Sequence, residues 1–156
     1  MSTRPAQLSG THTIVVRRTL SARREEVFAM WLDAERMPQW ILAGGSATLD
    51  ARVGGTFHMD MHYEGKSYPH DGEYLEIVPP RRLVFTWISA STNWLPSVVT
   101  IELTERGDRT ELVLTHEGLP SEKNAADHEG GWTEIADWQE RELIAAAGRE
   151  GARTIA

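Results

Sequence analysis

Two histidines have the types and placement for chemistry. His116 closes a β-branched run, and His128 lies on the apolar stripe of a helical pattern, with a Pro-Ser turn between them. That placement lets the two imidazoles meet near the mouth of a cleft. Imidazole titrates near neutrality, so such a pair can anchor a ligand or pass a proton. The other reading is structural: both rings bond loop backbone and hold the strand-to-helix connection. No nucleophile is poised beside them, since Ser121 reads as a helix cap and Thr115 faces away. His58, Asp60 and His62 share a strand face and invite a metal reading. Residues two apart on a strand are separated by roughly 6.6 Å and four apart by roughly 13 Å. Zn–N bonds are about 2 Å, so no metal site is expected there, and the face reads as solvated. His70, Asp71 and Glu73 form a polar cluster at a strand start, where turn solvation is the default. Alternation with Leu75 and Ile77 turns Glu73 inward, but acid–base work by paired carboxylates needs two converging acids. Phosphate loop, dinucleotide glycine fingerprint and nucleophile elbow are absent, so no cofactor is expected.

Composition narrows the classes further. The chain has no cysteine, which removes disulfides, thiolate metal sites and cysteine nucleophiles. Net charge is −7, and the basic residues come as isolated pairs, Arg17-Arg18, Arg23-Arg24 and Arg81-Arg82. A nucleic-acid binder needs a basic footprint, so no nucleic-acid partner is expected. No apolar run reaches the roughly 18 residues of a membrane span. The polar start, MSTRPAQLSG, lacks an export signal, and the expected location is cytoplasmic. Six tryptophans permit an aromatic-lined site.

The elements that must position these residues follow from periodicity. Residues 1–10 read as a flexible arm, and 11–20 as a strand. Ser21 caps a helix over 22–32 with Val27, Phe28, Trp31 and Leu32 apolar; a second short helix starts at Asp33 and stops at Pro38. Strands follow over 47–52, 56–64, 71–78, 82–89, 97–105 and 109–116, with Trp94 on the loop before the fifth of these. In the second, Phe57, Met59, Met61 and Tyr63 alternate with polar residues, as in a half-buried antiparallel strand. After Ser121 a long helix carries His128, Trp132, Ile135, Gln139, Leu143 and Ala146 on one face; Glu129, Thr133, Asp137, Glu140 and Arg141 lie opposite. Gly130 and Gly131 either break this helix or lie hard against another element. Residues 148–156 read as a frayed tail. Strands in series with short turns give an α+β plan built on a meandering antiparallel sheet.

Several strings in this order resemble the START-like (SRPBCC, birch-pollen-allergen-like) superfamily, and within it the heat-shock-protein-90 ATPase activator homologue family. They are Val27-Phe28 with Leu32, Asp33 and Trp40; Val53-Gly54-Gly55 with Phe57; Gly72-x-Tyr74-x-Glu76-Ile77-x-Pro79-Pro80-x-Arg82-Leu83-x-Phe85-x-Trp87; Thr110-x-Leu112-x-Leu114-x-His116-x-Gly118-Leu119; and His128-x-x-Gly131-Trp132. The resemblance implies a helix-grip fold over 11–147: a curved sheet of six to seven strands around the C-terminal helix, with two short helices closing one end. It also implies a cavity between sheet and helix for an apolar ligand. Where relatives place apolar residues after the Gly-Trp pair, this chain has Ala136 and Gln139. An inward Gln139 needs polar partners; the alternative places it at an edge.

The expected ligand-facing set is Trp40, Phe57, Met59, Met61, Glu73, Leu75, Phe85, Trp87, Val99, Leu112, Trp132 and Ile135, with His116, His128 and Gln139 as orienting polar groups. The function this points to is non-enzymatic binding of a small apolar or amphipathic molecule. The alternatives are a co-chaperone-type module with a protein partner, using Trp94 or the acidic helix face, and a cyclase- or hydrolase-like enzyme. A monomer or weak homodimer is expected.

Overall fold

A computed structural model of the protein describes residues 4–155. Seven antiparallel strands, β1 (His12–Leu20), β2 (Ser46–Leu49), β3 (Thr56–Tyr63), β4 (Lys66–Val78), β5 (Arg82–Trp87), β6 (Ser97–Arg106) and β7 (Arg109–Leu119), form one sheet. Its order is β1-β7-β6-β5-β4-β3-β2, a meander whose first strand returns to pair with its last. The concave face holds α2 (Glu122–Ile155), which packs chiefly on β1. Helix α1 (Arg24–Met30) and a 3-10 turn (Met37–Gln39) close the other end. This is the helix-grip, α+β plan.

The departures from expectation are local and have physical causes. Ser21 does not cap α1; its N–H and hydroxyl donate to Glu140 at 2.9 and 2.8 Å, and α1 begins at Arg24, two residues later than expected, without a side-chain cap. Arg18 pairs with Asp137. Two acids expected to face water thus clamp β1 to α2. Pro38 does not stop a helix but sits within the first positions of the 3-10 turn, where its missing N–H costs nothing. α2 runs unbroken through Gly130 and Gly131, and a Cβ at either would meet nothing within 4 Å. Neither a break nor a close contact explains them. Residues 148–155 of the expected tail are helical; residue 156, and residues 1–3 of the expected arm, lie outside the described residues.

The rest of that arm is tethered. Ser9 N–H donates to Pro96 O at 2.8 Å and its hydroxyl to Thr92 O at 2.7 Å. Leu8 packs on Leu75, Val84 and Val98, a small apolar cluster on the convex face. Gly118 has φ +82° and lies over the Leu8 side chain, which a Cβ would meet at 2.8 Å. Left-handed backbone and close approach together require glycine here.

One irregularity re-phases the sheet. Tyr74 pairs with Phe85 but Glu76 pairs with Val84, so β4 carries one extra residue, a β-bulge. Inward alternation counted back from Ile77 therefore slips by one. Tyr74, not Leu75 or Glu73, faces the main core. Leu75 lies in the convex cluster, and Glu73 sits beside Thr86, whose hydroxyl accepts its backbone N–H at 2.9 Å. Both leave the expected ligand-facing set.

Candidate functional site

The interior between sheet and α2 combines a run of aromatic rings with aliphatic side chains. Trp40, Trp31, Trp132 and Trp87 form a chain of rings with centroid separations of 4.8, 6.3 and 5.0 Å. Phe85 lies 6.2 Å from Trp31 and 6.0 Å from Trp87, and Phe57 bridges Tyr74, Phe85 and Trp87 at 5.4, 5.6 and 6.3 Å. The Phe57 ring occupies the space a Cβ of Gly72 would need, at 2.2 Å, which is why its cross-strand partner has no side chain. Val99, Leu112 and Ile135 are buried with them, with Met59 buried and Met61 half-buried near the β3–β4 hairpin. The expected apolar residues therefore converge, Leu75 excepted.

They also nearly fill the space. The enclosed cavity between Val16, Trp31, Leu114, Trp132, Ile135 and Gln139 is about 10 Å³, room for a single water at most. The standing cavity implied by the resemblance is closed in this conformation.

His116 and His128 do meet, edge to face, with centroids 4.9 Å apart. His116 is fully buried at the centre of a complete network. Trp132 Nε1 donates to its Nδ1 at 2.9 Å, so the proton is on Nε2, 2.7 Å from Ser97 Oγ. Ser97 in turn donates to Trp87 O at 2.6 Å. Burial holds the His116 imidazole well below its usual value, and neighbouring His128 pushes the same way. His116 is thus a neutral structural hub. Half-buried His128 donates from Nδ1 to Asn124 O at 2.9 Å; burial lowers its pKa despite that bond.

Gln139 resolves as inward. It is 1% exposed, and its Nε2 has only Met30 Sδ, 3.7 Å away, as partner. Further polar atoms are worse served. Trp31 Nε1, Trp40 Nε1 and Tyr74 Oη are buried with no hydrogen-bond partner. Burial raises the Tyr74 phenol strongly, so it stays protonated and keeps its donor.

Three residues of this site escape sequence reasoning. Tyr74 is lost through the bulge. Ser97 opens β6 and gives no signal of its bridging role. His70, read as turn solvation, is half-buried against Trp87 at 4.7 Å. Its signal was available: the tight Glu64-Gly65 turn pairs Tyr63 with Lys66, and counting back places His70 opposite Met59 on the inner face.

Outside the interior, His58 is exposed on the convex face, its ring nitrogens 2.7 Å from Asp71 and 3.2 Å from Asp60. Its hydrogen bond to Asp71 raises its pKa. Among the described residues no group of three or more His, Asp or Glu is placed to hold a metal ion, and no helix is long and apolar enough to cross a membrane. Trp94 is 53% exposed, displayed by left-handed backbone at Asn93 (φ 56°) and at its own position (φ 59°). It is not tucked onto the scaffold.

Comparison with known proteins agrees with this architecture. No curated protein matches the chain. Among solved structures, CalU16 from Micromonospora echinospora is 28% identical with a TM-score of 0.69, over 85% of this chain and 74% of that one. CV1439 from Chromobacterium violaceum is 26% identical, TM-score 0.70, over 83% and 94%. PFC0360w, described as an HSP90 activator from Plasmodium falciparum, is 25% identical, TM-score 0.70, over 86% and 96%. A family model matches residues 21–139, from Ser21 to Gln139 on the inner face of α2, and on that match the chain belongs to the Activator of Hsp90 ATPase homolog 1-like protein family.

Proposed function

We propose that this protein is a non-enzymatic binder of a small amphipathic molecule, held between the sheet and α2. The observation that carries this is the set of unpartnered buried donors, Trp31 Nε1, Trp40 Nε1 and Tyr74 Oη, within an aromatic shell. A buried donor left without a partner costs about 1–3 kcal/mol. A molecule with an apolar body and acceptor groups recovers that cost while its body replaces ring–ring contacts. Ligand sites commonly combine apolar walls with a few convergent polar groups.

Entry requires movement, because the standing cavity holds one water at most. Gly130 and Gly131 supply a place for it: they lie in α2 immediately before Trp132, with nothing packed on them. Glycine is a recurrent cause of helix bending, and bending here lifts Trp132 from Trp87. Native mass spectrometry of freshly purified protein, before and after denaturing extraction, tests the reading. The expected result is a discrete extra mass that denaturation releases. A clean apo mass, with indole resonances unmoved by a panel of amphipathic aromatics, overturns it.

A second reading rests on Trp94 and Leu95, exposed at a sharply turned loop. A protein-interaction role of co-chaperone type would use this tip, in keeping with the similarity to the Plasmodium HSP90 activator. Capture of a heat-shock-protein-90 chaperone that Trp94→Ala abolishes supports it; no retention by immobilised protein removes it.

A further inference from the structure

Three histidines surround the Trp87–Trp132 pair, and their hydrogen-bond partners fix which nitrogen of each carries the proton. The rings run in sequence: His70 to Trp87 at 4.7 Å, Trp87 to Trp132 at 5.0 Å, Trp132 to His116 at 6.0 Å, His116 to His128 at 4.9 Å. A carbonyl oxygen only accepts, so His70 Nδ1, 2.9 Å from Tyr68 O, must be the protonated nitrogen. His128 Nδ1, 2.9 Å from Asn124 O, is protonated for the same reason. In the neutral rings each Nε2 is then a bare acceptor. Neither has a partner among the described residues, and neither is sealed from solvent. His116 differs, because its Nδ1 accepts from Trp132 and its Nε2–H is used on Ser97. Burial keeps His70 and His128 below the usual imidazole range, so the lone pairs are present at neutral pH. Among the described residues no carboxylate hydrogen-bonds either ring, in contrast to His58 between Asp60 and Asp71.

We propose that His70 and His128 form the accepting rim of the aromatic interior and select ligands that present a hydroxyl donor on a flat apolar body, phenols above all. The interior offers donors (Trp31, Trp40, Tyr74) and the rim offers acceptors, so the preferred molecule carries acceptors at its buried end and a hydroxyl at its outer end. The flat body is read by the Trp87 and Trp132 rings between which it slides. This rests on the proposed function above and assigns the chemical class of its ligand.

The test compares 2-naphthol with 2-methylnaphthalene, close in shape and differing in the hydroxyl. Binding is followed by the tryptophan indole and histidine ring resonances of the full-length protein. The expected result is about tenfold tighter binding of 2-naphthol, the scale of one net hydrogen bond, with the His70 and His128 Nε2 resonances moving. His70→Phe and His128→Phe are expected to erase the preference, read as the ratio of the two probe affinities within each variant, in variants whose spectra remain folded. Equal affinity for the two probes in the unmodified protein overturns hydroxyl selection but leaves the interior as a binding site. A preference that persists in the double variant overturns the assignment to these histidines. Failure of both probes to bind overturns the interior reading as well.

Discussion

Around His116, on the β6–β7 side of the interior, both ring nitrogens, the Trp132 indole and the Ser97 hydroxyl are matched in one chain. Around Tyr74 and Trp40, on the far side, equally buried donors have nothing to bond. Both regions lie in the same apolar shell. A matched polar network rigidifies and specifies one packing. An unmatched set is a standing cost that a bound molecule can relieve. The difference separates the histidine that looked most functional in sequence, which is architecture, from the aromatic residues that looked like ordinary core.

Substitutions and pH can break this contrast. The largest effect is expected from His116→Leu, which orphans the Trp132 indole: a loss of about 2–4 kcal/mol, read as a fall in Tm of roughly 5–15 °C. A change below 1 kcal/mol would equate the two regions. Acid should act next. The folded-state pKa of His116 is depressed, so its stabilising contribution is present above the unfolded value near 6.5 and lost as pH falls below it. Half-buried His70 and His128 shift in the same direction. Exposed His58 has the opposite shift, favours the fold at low pH, and offsets little. Urea unfolding at pH 7 and pH 5 should differ by up to about 1.4 kcal/mol per pH unit for each proton taken up, and His116→Leu should flatten the slope. Gly131→Ala should raise stability by about 1 kcal/mol, since the residue is helical and its Cβ meets nothing; the same change should slow 2-naphthol association if α2 bends there. Tyr74→Phe should also raise stability, by about 1 kcal/mol, the low end of that standing cost, because the hydroxyl it removes is buried and unpaired. A loss above 1 kcal/mol in chemical denaturation would mean that Tyr74 belongs with the matched region.

The contrast also marks how far sequence reading goes. The β3 alternation of Phe57, Met59 and Met61 states its own inner face, and the strand meander before a long amphipathic helix states the plan. Hydrogen-bond matching is not periodic. Whether His116 is a base or a hub depends on Trp132 and Ser97, which reach it from another element and another strand. The β4 bulge is a second limit: a single extra residue inverted the facing of Glu73, Tyr74 and Leu75, and no residue in that stretch announces it. His70 was the recoverable loss, since turn length alone sets its register.

β1 pairs only with β7. Every other neighbouring pair of strands is also consecutive in the chain, and such pairs can form soon after synthesis. β1 has no partner until residues 109–119 have left the ribosome, and the Ser21–Glu140 and Arg18–Asp137 clamps wait longer still. At a synthesis rate of about 5–20 residues per second, β1 stays without its partner for several seconds. Completion of this fold therefore waits for its last strand and helix, and a stall between β6 and β7 would leave β1 unpaired for as long as it lasted.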